Sequence, residues 1–108
     1  MSGNLGLMPT KQCVENMRKA FPKGTQVEAV SFDDLWHPIP KGTRGIVLTV
    51  DDIGTLHIAW EGKGQLGAVW NADVVRNLET GIKSNEFWED YISKANWMLL
   101  QRGEKHDG

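Results

Sequence analysis

From Gly45 to Trp70 the chain alternates apolar and polar residues in three successive runs, each cut off by a turn containing Gly or Asp. A period of two sends neighbouring side chains to opposite faces, so such a stretch folds as consecutive strands with one buried face. In GIVLTV, Ile46, Leu48 and Val50 read as one face, and Asp51-Asp52-Ile53-Gly54 supplies the turn. In TLHIAWE, Leu56, Ile58 and Trp60 read inward while Thr55, His57, Ala59 and Glu61 read outward. Gly62-Lys63-Gly64 turns the chain again, and QLGAVW carries Leu66, Ala68 and Trp70 in register.

The pattern extends on both sides. Thr25–Ser31 alternates with Val27 and Ala29 on one face. Phe32–Thr43 holds Asp33-Asp34, two prolines and a glycine, and reads as an extended loop. Asn71–Leu78 reads as a short 3₁₀ turn and a closing strand through Val74, Val75 and Leu78. Four or five short strands between residues 24 and 79 describe a small antiparallel β-barrel.

Helices are predicted at both ends. Residues 1–9 read as a loose lead-in. Thr10 suits the N-cap of a helix over 10–21, with Val14, Met17 and Phe21 at helical spacing, Arg18, Lys19 and Lys23 near its end, and Pro22 stopping it. After Thr80-Gly81, Ser84 reads as the N-cap of a longer amphipathic helix over 84–102, closed by Gly103. Its apolar stripe is Trp88, Tyr91, Ile92, Ala95, Met98 and Leu99. Trp97 falls about 180° from the centre of that stripe, with Leu100 near it. The helix therefore shows two apolar faces: it is either sandwiched between the barrel and the first helix, or its second face meets another chain. At 108 residues the whole is read as one α+β domain.

Charge and cysteine usage narrow the function classes. The formal net charge is -2, which places nucleic-acid binding low, because phosphate neutralisation favours a basic face. Cys13 is the only cysteine, so no internal disulfide forms and a reducing cytoplasm is expected. No apolar run reaches the ~18–20 residues that span a bilayer, so no membrane partner is expected.

Chemistry-bearing residues are scattered. Asp33-Asp34 and Asp51-Asp52, with His37, would offer oxygen and nitrogen ligands to a cation, yet adjacent aspartates are standard turn formers, and no metal or other cofactor is expected. Cys13 lies beside apolar positions with no base or oxyanion turn at hand, and His37 and His57 lack ligand spacing. Gly62–Gly64 lacks the strand–loop–helix setting of a phosphate loop. No catalytic residue is assigned, and the chain is not read as an enzyme. Of the five tryptophans, Trp60 and Trp70 read as core, Trp88 as the docking residue of the helix, and Trp36 as a loop aromatic suited either to binding or to capping the core.

The segment FPKGTQVEAVSFDDLWHPIPKGTRGIVLTVDDIGTLHIAWEGKGQLGAVWNAD, residues 21–73, resembles the DUF4314 domain, a family of unknown function common in bacterial mobile elements and phages. FPKGT, DD…PIPKGTRG, VDDIGTLHIAW and the following LG carry the resemblance, which implies an SH3-like barrel and no catalytic residues. Family members often have Pro-Gly where this chain has Trp70-Asn71.

Three functions are expected in descending order. The first is a phage- or mobile-element-encoded protein–protein interaction module that binds and modulates a host protein, with inhibition of a defence system such as CRISPR-Cas as one instance suggested by the family's genomic setting. Trp36, His37, Trp97 and Leu100 would make the contacts, and the C-terminal helix would also serve a homo-oligomer. The second is an oligomeric binder of a nucleotide-type ligand, with Trp36 or Trp70 stacking and Lys41, Arg44 or Arg76 holding phosphate. The third is a nucleic-acid-binding barrel using Lys19, Lys23, Lys41 and Arg44.

Overall fold

The computed structural model describes residues 6–33 and 38–107, with 101–107 as helical backbone. Seven strands and two helices follow in order: β1 (Leu7–Pro9), α1 (Lys11–Ala20), β2 (Gln26–Ser31), β3 (Arg44–Val50), β4 (Leu56–Trp60), β5 (Gly64–Ala68), β6 (Val74–Asn77), β7 (Tyr91–Ser93) and α2 (Lys94–Asp107). Strands β2 to β6 form one antiparallel sheet in the order β5-β4-β3-β2-β6. The chain runs as a meander from β2 to β5, then returns to lay β6 beside β2. This is the small barrel-like α+β domain that the alternation predicts, consistent with the SH3-like barrel that the resemblance implies.

The core lies on one face of that sheet. Val27, Val47, Leu56, Ile58, Trp60 and Val75 are buried there, and α1 covers them with Cys13, Val14 and Met17, followed by Phe21. The Thr10 hydroxyl accepts the Cys13 amide at 3.0 Å, the expected N-cap. At the other end of α1, the buried Asn77 donates its side-chain amide to the Ala20 carbonyl at 2.7 Å, fixing the helix to β6.

Strand β3 departs from simple alternation. Gly45 and Val47 point inward and Ile46 is 48% exposed, because a bulge between Val47 and Thr49 shifts the register against β4 before Val50 is buried. The expected single face of Ile46, Leu48 and Val50 is corrected accordingly. One extra residue inverts every side chain on one side of the bulge.

The C-terminal segment is also corrected. Ser84–Phe87 is a single 3₁₀ turn, Tyr91–Ser93 is strand β7, and the helix begins only at Lys94 and runs through Gly103. Ser84 caps nothing here: it is buried, and its hydroxyl accepts the Val75 amide at 3.0 Å. Strand β7 pairs with β1 through Leu7↔Ser93, Met8↔Ile92 and Pro9↔Tyr91. The Thr10 amide donates to the Asp90 carbonyl and the Lys94 amide to the Gly6 carbonyl, closing both ends of this ladder. Leu7–Pro9, within the expected loose lead-in, thus supplies a strand, and in β7 tertiary pairing outweighs helical periodicity. Ser93 is the actual cap of α2, its hydroxyl accepting the Asn96 amide at 3.1 Å. Among the described residues, no helix is long and apolar enough to cross a membrane.

Candidate functional site

A concavity lies where α1, α2 and the β3–β4 turn meet. It is a cleft of about 190 Å³. One wall is apolar, made by Val14 of α1, Ile92 of β7, and Trp97 and Leu100 of α2. The other is charged, made by Lys11, Glu15 and Arg18 of α1 with Asp52 of the turn. Helical spacing explains this wall, since Lys11, Glu15 and Arg18 recur at i, i+4 and i+7 beside Val14.

Arg18 organises the charged wall. Its Nε donates to the Val50 carbonyl at 3.1 Å and its Nη2 to Asp52 Oδ1 at 2.9 Å, with Glu15 Oε2 3.6 Å from Nη1. The guanidinium therefore ties α1 to the turn and brings its own counter-charges. The turn itself is held by Asp51, whose Oδ1 accepts the Ile53 and Thr55 amides at 3.1 and 2.9 Å while Oδ2 lies 2.8 Å from His57 Nε2. Asp51-Asp52 thus acts as a turn former, and among the described residues no group of His, Cys, Asp and Glu is arranged to hold a metal.

Helix α2 distributes its apolar residues differently from the expected stripe. Trp97 is half-buried in the cleft, with Leu100 at its rim. Met98 and Leu99, expected to dock on the barrel, are 51% and 62% exposed, and Leu100 is 59% exposed. The late start of α2 is the cause: shortened by the β7 pairing, the helix rests on β1 and β7 and lines the cleft beside α1.

Trp97 and Leu100 are therefore brought together with Ile92 and Val14. Trp36 and His37 lie outside the described residues. Of the described residues expected to hold a nucleotide, Arg44 and Arg76 come together around Glu28. Trp70 is buried against the Cys13 thiol, while Lys41 lies in the exposed loop before β3. Arg44 and Arg76 flank Glu28 on neighbouring strands, and Arg76 is ion-paired with it. The Cys13 thiol is pushed up to about 11, first by burial, with the Trp70 contact opposing and the Asp90 charge adding; it donates to the Phe87 carbonyl at 3.0 Å. Burial thus favours the neutral thiol, which packs as a small apolar group.

Sequence reasoning missed the α1 wall of the cleft. The signal was present in the polar face of α1, but only the β1–β7 pairing brings α2 beside it. A family model described as a domain of unknown function (DUF4314) matches residues 10–78. No curated protein and no solved structure matches the chain.

Proposed function

The chain belongs to the DUF4314 family, and on that premise we propose that it is a non-catalytic module that binds another protein through the α1–α2 cleft and the adjoining face of α2. The reading rests on the exposure of Met98, Leu99 and Leu100, consecutive large apolar residues at 51%, 62% and 59%, beside a cleft walled by an indole. A patch of this kind with a charged rim is the usual anatomy of an interface, in which an aromatic anchor supplies much of the binding energy. Half of the site, α1, lies within the family match and half, α2, lies beyond it. The barrel is then the shared scaffold, and the target is set by the C-terminal segment. A host protein is the proposed target, in the phage or mobile-element setting that the family suggests, and a component of a host defence system is one candidate.

The test is quantitative binding. The tagged chain is used to isolate its target from host cells, the target is identified by mass spectrometry and purified, and affinity is measured with W97A and L99D. Each substitution should weaken binding at least about tenfold, the loss expected for a buried aromatic or aliphatic anchor. Melting temperatures should stay within a few degrees of the parent. Two folded variants that bind like the parent would remove the proposal.

A further inference from the structure

The two edges of the five-stranded sheet are treated differently. Strand β6 is covered by the segment that follows it: the Asn77 amide donates to the Ile82 carbonyl, the Val75 amide to the Ser84 hydroxyl, and Arg76 bridges to Lys83. Among the described residues, strand β5 has no such cover. Its ladder partner β4 pairs through Leu56↔Ala68, His57↔Gly67, Ile58↔Leu66, Ala59↔Gln65 and Trp60↔Gly64.

The direction of its free groups follows from the far side of β4. The Glu61 amide donates to the Arg44 carbonyl, so Glu61 and Ala59 aim their backbone groups at β3. Ile58 and Trp60 then aim theirs at β5 and bond Leu66 and Gly64. By the same alternation Gln65 and Gly67 turn their N–H and C=O outward. Among the described residues, no hydrogen bond reaches these outward groups. Gly64–Ala68 contains no charge and no proline, the devices that normally blunt an edge.

We propose that β5 is a self-association edge, at which two copies of the chain pair antiparallel about a two-fold axis beside Leu66. The register selects a second copy as the occupant. With Leu66 facing Leu66 of the second copy, Gln65 stands opposite Gly67 and Gly67 opposite Gln65. Each of these pairs exchanges two backbone hydrogen bonds, so all the outward groups of both strands are used. Each Gln65 side chain lies over a residue with no side chain to clash. The pairing also ends where it should: the Val69 amide is bonded to Asp73 Oδ2, the Val69 carbonyl accepts from Ala72 and Asp73, and the Lys63 amide donates to the Trp60 carbonyl. Moving the axis by one residue, onto Gln65 or Gly67, shifts the register by two and leaves one outward residue of each copy opposite Lys63 or Val69, whose amides are already bonded. The closed, isologous result is a continuous sheet across two barrels. It uses a surface on a different element from the α1–α2 cleft and does not depend on what that cleft binds.

Sedimentation equilibrium and concentration-dependent amide exchange test it on the full chain. A short edge gives a weak dimer, so the mass should rise toward twice the monomer between about 10 µM and 1 mM. Over the same range the Gln65 and Gly67 amides should slow several-fold in exchange. Q65P removes an outward donor without touching a β4 bond and should stay monomeric, whereas L99D should dimerise like the parent. A chain that remains monomeric at 1 mM overturns the proposal. So does a dimer whose Gln65 and Gly67 amides exchange freely, or one abolished by L99D, which would place the contact on α2. If an added extended peptide slows these amides while the chain alone stays monomeric, the edge serves a foreign strand and self-association is rejected. The amide measurement on the parent chain decides the matter even if Q65P does not fold.

Discussion

Cys13 is 1% exposed, and its thiol donates to the Phe87 carbonyl, so ionisation would bury a charge with a carbonyl oxygen facing it. Its folded value of about 11 lies above its ordinary one of 9.0, so the folded state holds the thiol proton more tightly than the unfolded chain does. The resulting stability is fully present below about pH 9 and is lost as the pH rises toward 11. The parent should therefore lose melting temperature across this window more steeply than C13A, as followed by circular dichroism. Equal slopes would show that the thiol is not the titrating group. Burial of Cys13 was legible from its place in the apolar spacing of α1, but its partner was not, because Phe87 lies in a segment that reads as helix and folds as a 3₁₀ turn.

At the level of elements, β2 and β4 bury the residues that their alternation predicts, Val27 and Ala29 in one and Leu56, Ile58 and Trp60 in the other. Strand β3 does not, and the reason is local to Gly45. A Cβ there would come within 2.6 Å of Ile58 Cγ2 and 2.9 Å of both the Ala59 carbonyl and Trp60 Cε3. Glycine at this inward position lets β3 and β4 approach, and the bulge downstream restores Val50 to the core. G45A should destabilise the chain by about 1–3 kcal/mol in urea unfolding, the range for overpacking a filled core. A cost below 0.5 kcal/mol, on the order of a surface substitution, would show that β4 yields instead. The bulge had no clear signal in the sequence, since GIVLTV fits either register. The β1–β7 ladder was hidden for a different reason: its two strands are short, and neither is stable without the other.

Across the whole molecule, the barrel and α1 share one core, while α2 rests on β1, β7 and the rim of the cleft. A chain ending at Lys94 should keep its far-ultraviolet β signature and lose no more than about 8 °C in melting temperature, the shift that about 1 kcal/mol produces in a domain of this size. Loss of cooperative unfolding would instead make α2 part of the core. The fold was legible because a barrel is built from local hairpins whose turns announce themselves. The cleft was not, because it forms between residues from opposite ends of the chain. That same closure has a kinetic meaning. The pairing of Leu7 with Ser93 joins nearly the full length of the polypeptide, and no hairpin guides it. Its loop-closure entropy is affordable only after the intervening barrel has shortened the path between the two strands. On this argument the clasp is expected to form last in folding and to release first, so the α1–α2 cleft should open by local unfolding while the barrel stays intact.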